Sequence, residues 1–286
     1  MRKPKTPQTE EPQSEDSSDA AEEQNGDAAQ AASVRPIVFQ AAGPSIALIQ
    51  GTVAAFRTAL GEPNNGNVPG PLMVGRREIN WDGGGANDTT DKPVTPFDVF
   101  LNTRGARFTT PGLGLSQVPP SGPPPRGGLA GLFNNPTYGT IFQPFSPLRL
   151  FTPVGSNITE ASFFIPGTSA LARGAVRATV SGFGAVFSDV DQPNGSPGKR
   201  NRQASTLIEY FGAHRKLLFR GSVPTSPGDA TFSFFGIVFE DPVIARVRIT
   251  TGNTALGPNE AGRRDIVVMD DFLYGEPQMP TTNVAD

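Results

Sequence analysis

The segment that constrains the fold most is 243–250, because its residues alternate between a wholly apolar face and a mostly polar one. One face carries Val243, Ala245, Val247 and Ile249, and the other carries Ile244, Arg246, Arg248 and Thr250. A period of two is typical of a β-strand with one buried and one solvated face. We therefore expect a strand here, and we expect it to form a closing hairpin with the run at 266–274.

The run at 266–274 contains two adjacent carboxylates and has apolar residues on both faces. Ideal alternation places Asp270 with Ile266, Val268, Phe272 and Tyr274, and it places Asp271 with Val267, Met269 and Leu273. At least one aspartate then lies among apolar neighbours, where a carboxylate without a partner is costly. Three alternatives stay open: a pair with Arg246 or Arg248 across the hairpin, a calcium-type oxygen site, or an exposed edge.

The composition favours an all-β protein. The 286 residues include 33 Gly, 29 Pro and 20 Phe, so many short strands joined by Gly/Pro turns are expected. We predict a jelly-roll-like antiparallel β-sandwich with one N-terminal helix and a disordered tail. The chain has no Cys and one His, which excludes disulfides, thiolate nucleophiles and His-based zinc sites.

The predicted domains are a disordered acidic tail at 1–33 and a β-sandwich domain at 34–286. The tail has no large apolar residue after Met1 and cannot bury enough surface to offset its ordering entropy. It holds three basic and eight acidic residues, a net −5, and the whole chain carries −3, so the remainder carries +2. A nearly neutral domain predicts no nucleic-acid partner. Neither a membrane span nor a signal peptide is expected from the apolar pattern.

Two further segments have distinctive patterns. The spacing of Ile46, Ile49, Val53, Phe56 and Leu60 predicts a helix at about 45–60, which we expect to plug one end of the sandwich. Gly61 and Pro63 supply its stop signal. The segment at about 111–131 is rich in Pro and Gly and is expected to be a surface excursion.

Two aromatic residues are candidate ligand-binding residues. Trp81 lies in a short polar strand in which Glu78, Asn80 and Asp82 share one face and Arg77, Ile79 and Trp81 share the other. Tyr138 begins a run with Phe142, Phe145 and Phe151 among Pro, Thr and Gln. Exposed rings would form a stacking surface for a ligand, whereas buried rings would hold this part of the chain against the sandwich.

Three acidic groups are candidate metal ligands: Glu78 with Asp82, Asp189 with Asp191, and Asp270 with Asp271. The stretch from Asp189 to Gly195 is similar to a calcium loop, although one residue is inserted and the twelfth-position Glu is absent. We expect the three groups to meet at one rim of the sandwich and to bind calcium there, because calcium prefers several oxygen ligands.

Catalysis has little support in the sequence. The one His, His214, lies in a predicted turn with basic neighbours, and no G-x-S-x-G nucleophile elbow is present. A glycoside hydrolase that uses two carboxylates is the enzyme alternative.

Several ordered segments resemble an uncharacterised family of bacterial proteins. These segments are GRREINWDGGG, TRGARFTTPG, FQPFSPLRLFTPVGSNIT, FFIPGT, VSGFGAVFSDVD, FFGIVFEDP, ARVRITTGNTALGP and DIVVMDDFLYGEP. Members of that family look exported, and their C-terminal half is similar to the lectin-like or galactose-binding-like β-sandwich of proteins with cell-surface sorting signals. The resemblance implies a location in the cell envelope or exterior, and the family has no established activity to carry over. We expect a non-enzymatic binding module there, with a glycan as partner and a structural calcium ion. A structural or adhesive surface protein without a small ligand is the alternative, and the oligomeric state is not predicted.

Overall fold

The computed structural model describes residues 35–82, 92–122, 127–171, 173–191, 206–259 and 264–280. The predicted acidic tail lies outside these residues. The described residues form twelve strands: β1 (Ile37–Gly43), β2 (Arg76–Ile79), β3 (Ala106–Thr109), β4 (Gly114–Val118), β5 (Leu150–Val154), β6 (Ile158–Phe163), β7 (Gly182–Ser188), β8 (Leu207–Phe211), β9 (Leu217–Ser222), β10 (Phe232–Val238), β11 (Arg246–Thr250) and β12 (Val268–Gly275). The helical segments are α1 (Ile46–Leu60), α2 (Leu101–Arg104), α3 (Gly128–Leu132) and α4 (Tyr138–Ile141).

The strands form two antiparallel sheets, which confirms the predicted all-β sandwich. Sheet A has the order β1-β10-β7-β12-β5-β4, with β2 also paired to β12. Sheet B has the order β3-β6-β11-β8-β9. The largest buried cluster lies between the sheets and draws alternate residues from both, including Phe183, Phe235, Val247 and Phe272. Period-two alternation therefore produces the inner core.

The predicted helix is confirmed as α1, but its position differs from the expectation. It lies on the outer face of sheet A, over β1 and β10, and does not plug an end of the sandwich. Phe56 fits there because Gly184 and Gly236 face each other across β7 and β10, and a Cβ on either would come within 2.8 Å of its ring. No helix in the described ranges is long and apolar enough to cross a bilayer.

The Pro/Gly-rich segment at 111–131 is more ordered than expected. Residues Gly114–Val118 form β4, a fully buried strand that pairs with β5. Leu129 of α3 joins Tyr138, Phe142 and Leu150 in a second cluster on the outer face of sheet A. The prediction of a surface excursion was therefore wrong for these residues, because Leu115 and Val118 supply apolar surface that the sandwich buries.

The prediction that the last two strands form a hairpin was also wrong. β11 pairs with β6 and β8 in sheet B, whereas β12 pairs with β7, β5 and β2 in sheet A. The connection between them crosses from one sheet to the other. Arg246 and Arg248 consequently pair with Glu160 on β6 and not with Asp270 or Asp271.

Candidate acidic site at a fork in sheet A

Sheet A divides at the middle of β12. Along one edge, β12 pairs with β7 over most of its length. Along the other edge, Met269 pairs with Phe151 of β5, and the residues from Phe272 onward pair with β2. Asp270 and Asp271 lie where the neighbouring strand changes, so their surroundings come from several separate parts of the chain.

A β-bulge at this fork places both aspartates on the same face. Asp270 pairs with Val186 and Phe272 pairs with Ala185, so Asp271 is the extra residue. Residues on the inner face are Val267 and Met269 before the bulge, and Phe272 and Tyr274 after it. Both aspartates therefore point to the outer face, toward α1. The expectation that they lie on opposite faces was wrong, because a bulge shifts the alternation by one residue.

Asp270 accepts hydrogen bonds from three backbone N–H groups. Its Oδ2 accepts from Phe145 at 2.6 Å and from Ser146 at 3.3 Å, and its Oδ1 accepts from Asp271 at 2.8 Å. The Ser146 hydroxyl lies 2.7 Å from Asp271 Oδ1 and 3.4 Å from Asp270 Oδ1, so it joins the two carboxyl groups. The segment before β5 is thereby fastened to β12.

Arg57, at the last turn of α1, links Asp271 to the other acidic residue of the site. Its Nε donates to Glu78 Oε2 at 3.0 Å, and its Nη2 donates to Asp271 Oδ2 at 3.3 Å. Glu78 also accepts from Arg76 Nε at 2.7 Å, and Arg76 pairs in turn with Glu62 at 2.6 Å. We call Glu78, Asp270 and Asp271, together with Arg57 and Ser146, the acidic cluster.

The pKa values of the two aspartates are raised, and burial is the main cause. Burial raises the pKa of Asp270 well above its ordinary value, and the charge of Asp271 adds to the effect. Its three backbone N–H partners act in the opposite direction. Burial also raises the pKa of Asp271, although the Ser146 hydroxyl and the Arg57 charge reduce the shift. The pair therefore holds a proton more strongly than two exposed aspartates would.

Asp82 lies beside the acidic cluster but has its own partners. Its carboxylate accepts from the backbone N–H of Leu148 and, at 2.9 Å, from that of Arg149. The Ser146 hydroxyl lies 3.2 Å from the carbonyl of Asn80, which joins the two arrangements. The structure thus brings together the first and third of the three predicted acidic groups.

The second predicted group, Asp189 and Asp191, has a different set of contacts. The N–H of Asp189 donates to the carbonyl of Thr231, and the Asp191 carboxylate accepts from the N–H of Gly228 at 2.8 Å. The N–H of Asp191 donates to Asp265 Oδ1 at 3.2 Å. These contacts involve the loop before β10 and the segment before β12, and not the fork. The expected meeting of all three groups is therefore not seen, and residues 192–195 lie outside the described residues.

Calcium at the acidic cluster would have to compete with existing partners. Arg57, Arg76, Ser146 and the backbone N–H groups already occupy oxygen atoms of Glu78, Asp270 and Asp271. Within the described ranges, no group of three or more His, Cys, Asp or Glu residues is arranged to hold a metal ion. Calcium binding stays a prediction.

The two candidate ligand-stacking residues are in the interior. Trp81 is fully buried and stacks on Phe151, with ring centroids 3.7 Å apart. Tyr138 is also fully buried, and its hydroxyl donates to the carbonyl of Gly257 at 2.8 Å. Neither ring presents a face to a ligand here, so the alternative in which they hold chain segments against the sandwich is the one that their burial supports.

Two members of the acidic cluster were missed at the sequence level. Arg57 follows Phe56 and lies four residues after Val53, at the border of the apolar stripe of α1. A charged residue at such a border indicates a carboxylate partner on the surface that the helix covers. Ser146 had no comparable signal, because its role depends on how the segment before β5 folds.

Comparison of the chain with protein-family models, with curated proteins and with solved structures finds no match in any of the three.

Proposed function

We propose that this protein is a non-enzymatic binding or structural module. In it, the acidic cluster holds α1 and the segment before β5 against the outer face of sheet A. The observation that carries the proposal is that the buried carboxylates are engaged by other parts of the same chain. Arg57 comes from α1, Ser146 comes from the segment before β5, and Asp270 and Asp271 come from β12. Glu78 comes from β2, so four separate segments are joined at one point.

The geometry argues against a carboxylate-dependent glycoside hydrolase at this place. Such an enzyme places two carboxyl groups on either side of a sugar, about 5–9.5 Å apart. Asp270 and Asp271 are instead both buried and share one serine hydroxyl. A sugar could not reach both carboxyl groups unless the segment around Phe145 and Ser146 moved away.

A glycan is the first ligand to test, and the family resemblance is the reason for choosing it. A location in the cell envelope or exterior rests on the same resemblance. A glycan array with the full chain separates a carbohydrate-binding module from a structural or adhesive protein. Activity on chromogenic glycosides, compared between the native chain and Asp270→Asn, tests the enzyme alternative.

Thermal melting in calcium tests the role of the acidic cluster. If the cluster is an internal fastening, then millimolar calcium leaves the Tm unchanged, and Arg57→Met lowers the Tm with or without calcium. A rise in Tm with calcium that is lost in Asp271→Asn would overturn this role in favour of a calcium site. Magnesium at the same ionic strength is the control for screening by salt.

A further inference from the structure

β1 is an edge strand with unusually little protection. Among the described residues, β10 is its one neighbour in the sheet, so its other edge has backbone N–H and C=O groups without a strand beside them. Ile37 is 64% exposed and Val38 is 41% exposed. Natural edge strands are usually protected by charges, prolines or bulges. β1 has the sequence IVFQAAG, pairs with β10 in unbroken register, and holds no charge, proline or bulge between the flanking Pro36 and Pro44.

The edge of sheet B shows the contrast. β9 carries Arg220 within the strand, and its pairing with β8 contains a register shift at Phe211. These features protect an edge against another strand. The difference leaves β1, among the described residues, as the edge that is more open to pairing with a further strand.

The sequence of β1 is complementary to itself in an antiparallel arrangement. If two copies pair antiparallel about a two-fold axis at Gln40, then the numbers of any two residues that face each other add up to 80. Each large residue then faces a small one: Ile37 faces Gly43, Val38 faces Ala42, and Phe39 faces Ala41. Pro36 faces Pro44, and both prolines lack the N–H that would extend the pairing. No charged side chain lies between these prolines, so like charges do not oppose the pairing.

The same register explains a second exposed apolar residue. Leu48 of α1 is 59% exposed and lies over Gly43, where a Cβ would come within 2.7 Å of its side chain. Phe39 and Ala41 pack under α1, so the odd-numbered residues of β1, including Ile37, point to the outer face. The two-fold pairing brings Ile37 of one copy opposite Gly43 of the other, next to Leu48. Two exposed apolar side chains thereby cover each other.

We propose that β1 is a homodimer interface, in which two copies of the chain join sheet A edge to edge in the register centred on Gln40. The interface is isologous, because the same strand serves both copies. Its partner is therefore a second copy of this chain, and the pairing extends sheet A across both molecules.

Molar mass by light scattering and sedimentation equilibrium, on the full chain from ~1 to ~100 µM, tests the proposal. The native chain is expected to dimerise. Ile37→Lys and Leu48→Lys are each expected to weaken the dimer at least tenfold, because both place a charge in the interface. Leu217→Lys, on the exposed edge of β9, is the matched control and is expected to leave the dimer unchanged.

Crosslinking checks the register, because the native chain contains no Cys. Gln40→Cys places two thiols beside the two-fold axis, so a short bis-maleimide is expected to join them. Leu217→Cys is expected to stay uncrosslinked. A native chain that stays monomeric up to ~100 µM would overturn the proposal and would favour a different partner for the edge. A dimer that Leu217→Lys weakens as much as Ile37→Lys, or that Gln40→Cys does not crosslink, would overturn it as well.

Discussion

Two ionic clusters lie on opposite faces of β2, and their buried charges are compensated in different ways. Arg77 points to the inner face with Ile79, and it pairs with Glu276. Glu78 points to the outer face and belongs to the acidic cluster. Neighbouring residues of one strand thus begin two networks that share the strand pair β2–β12.

The inner pair is balanced in charge. Arg77 donates to both oxygens of Glu276, at 2.6 and 2.7 Å, and both side chains are almost completely buried. The remaining Arg77 nitrogen donates to the carbonyls of Gly66 and Val68, at 2.8 and 2.7 Å. Glu276 also accepts from Asn65 and from the N–H of Leu72. One cation and one anion therefore satisfy each other and fasten the connection between α1 and β2.

The outer cluster has an excess of acid. Glu78, Asp270 and Asp271 face Arg57 and Arg76, and Arg76 is shared with Glu62. Backbone N–H groups and a serine hydroxyl supply the remaining stabilisation. The comparison teaches that one buried cation and one buried anion can satisfy each other, whereas an excess of acid leaves Asp270 and Asp271 with raised pKa values, so that the stability of the acidic cluster depends on pH.

The largest expected effect comes from breaking the balanced pair. Arg77→Met leaves the Glu276 carboxylate buried without its cation, so we expect a loss of ~3–5 kcal/mol in the free energy of unfolding. Urea denaturation measures it. The double variant Arg77→Met/Glu276→Leu should recover part of the loss, because no uncompensated charge is left. A single variant that loses less than ~1 kcal/mol would contradict the importance given to the pair.

A smaller effect is expected when the acidic cluster loses its bridging cation. Arg57→Met keeps the apolar stem of the side chain but removes the cation that Glu78 and Asp271 share, so we expect a loss of ~2 kcal/mol. The matched control is Arg220→Met, which removes a partly exposed pair with Glu209 and should cost ~0–1 kcal/mol. Equal losses in the two variants would remove the distinction between the acidic cluster and an ordinary surface pair.

The pH dependence of stability tests the acidic cluster directly. The pKa of Asp270 is raised on folding, so its contribution to stability is fully present below the ordinary pKa of about 4 and is lost as the pH rises through the raised pKa. For one proton the slope is at most about 1.4 kcal/mol per pH unit.

Asp270→Asn should therefore make the free energy of unfolding less dependent on pH above about 4. Its absolute stability should fall by ~1 kcal/mol, because the amide group cannot accept from all three backbone N–H groups at once. Urea denaturation at a series of pH values measures both effects. If the free energy of unfolding changes with pH as steeply in this variant as in the native protein, then Asp270 is not the group that binds the extra proton on folding.

The sequence was sufficient to predict the elements whose pattern is local. The spacing from Ile49 to Leu60 predicted α1, and the alternation around Val247 predicted β11, because one buried face repeats with the period of each element. Apolar residues on both sides of Asp270 also predicted correctly that β12 is covered on both faces.

The arrangement of the acidic cluster could not be predicted, because it depends on non-local features. The bulge at Asp271 reverses the alternation and leaves no distinct residue pattern. The pairing of β12 with β2 and not with β11 is decided by how the connection crosses the sandwich. The Ser146 contact depends on the same topology, so Arg57, at the border of the stripe on α1, was the one partner with a recognisable signal.

Hydrogen exchange at the backbone N–H groups of Phe145 and Ser146 tests the central claim most directly. If buried Asp270 accepts from both groups and fastens this segment to β12, then both amides exchange slowly in the native protein. Asp270→Ala should then speed their exchange while the amides of β7 stay protected. Rapid exchange of these two amides in the native protein would contradict the account, because the carboxylates would then be open to solvent and free for another partner.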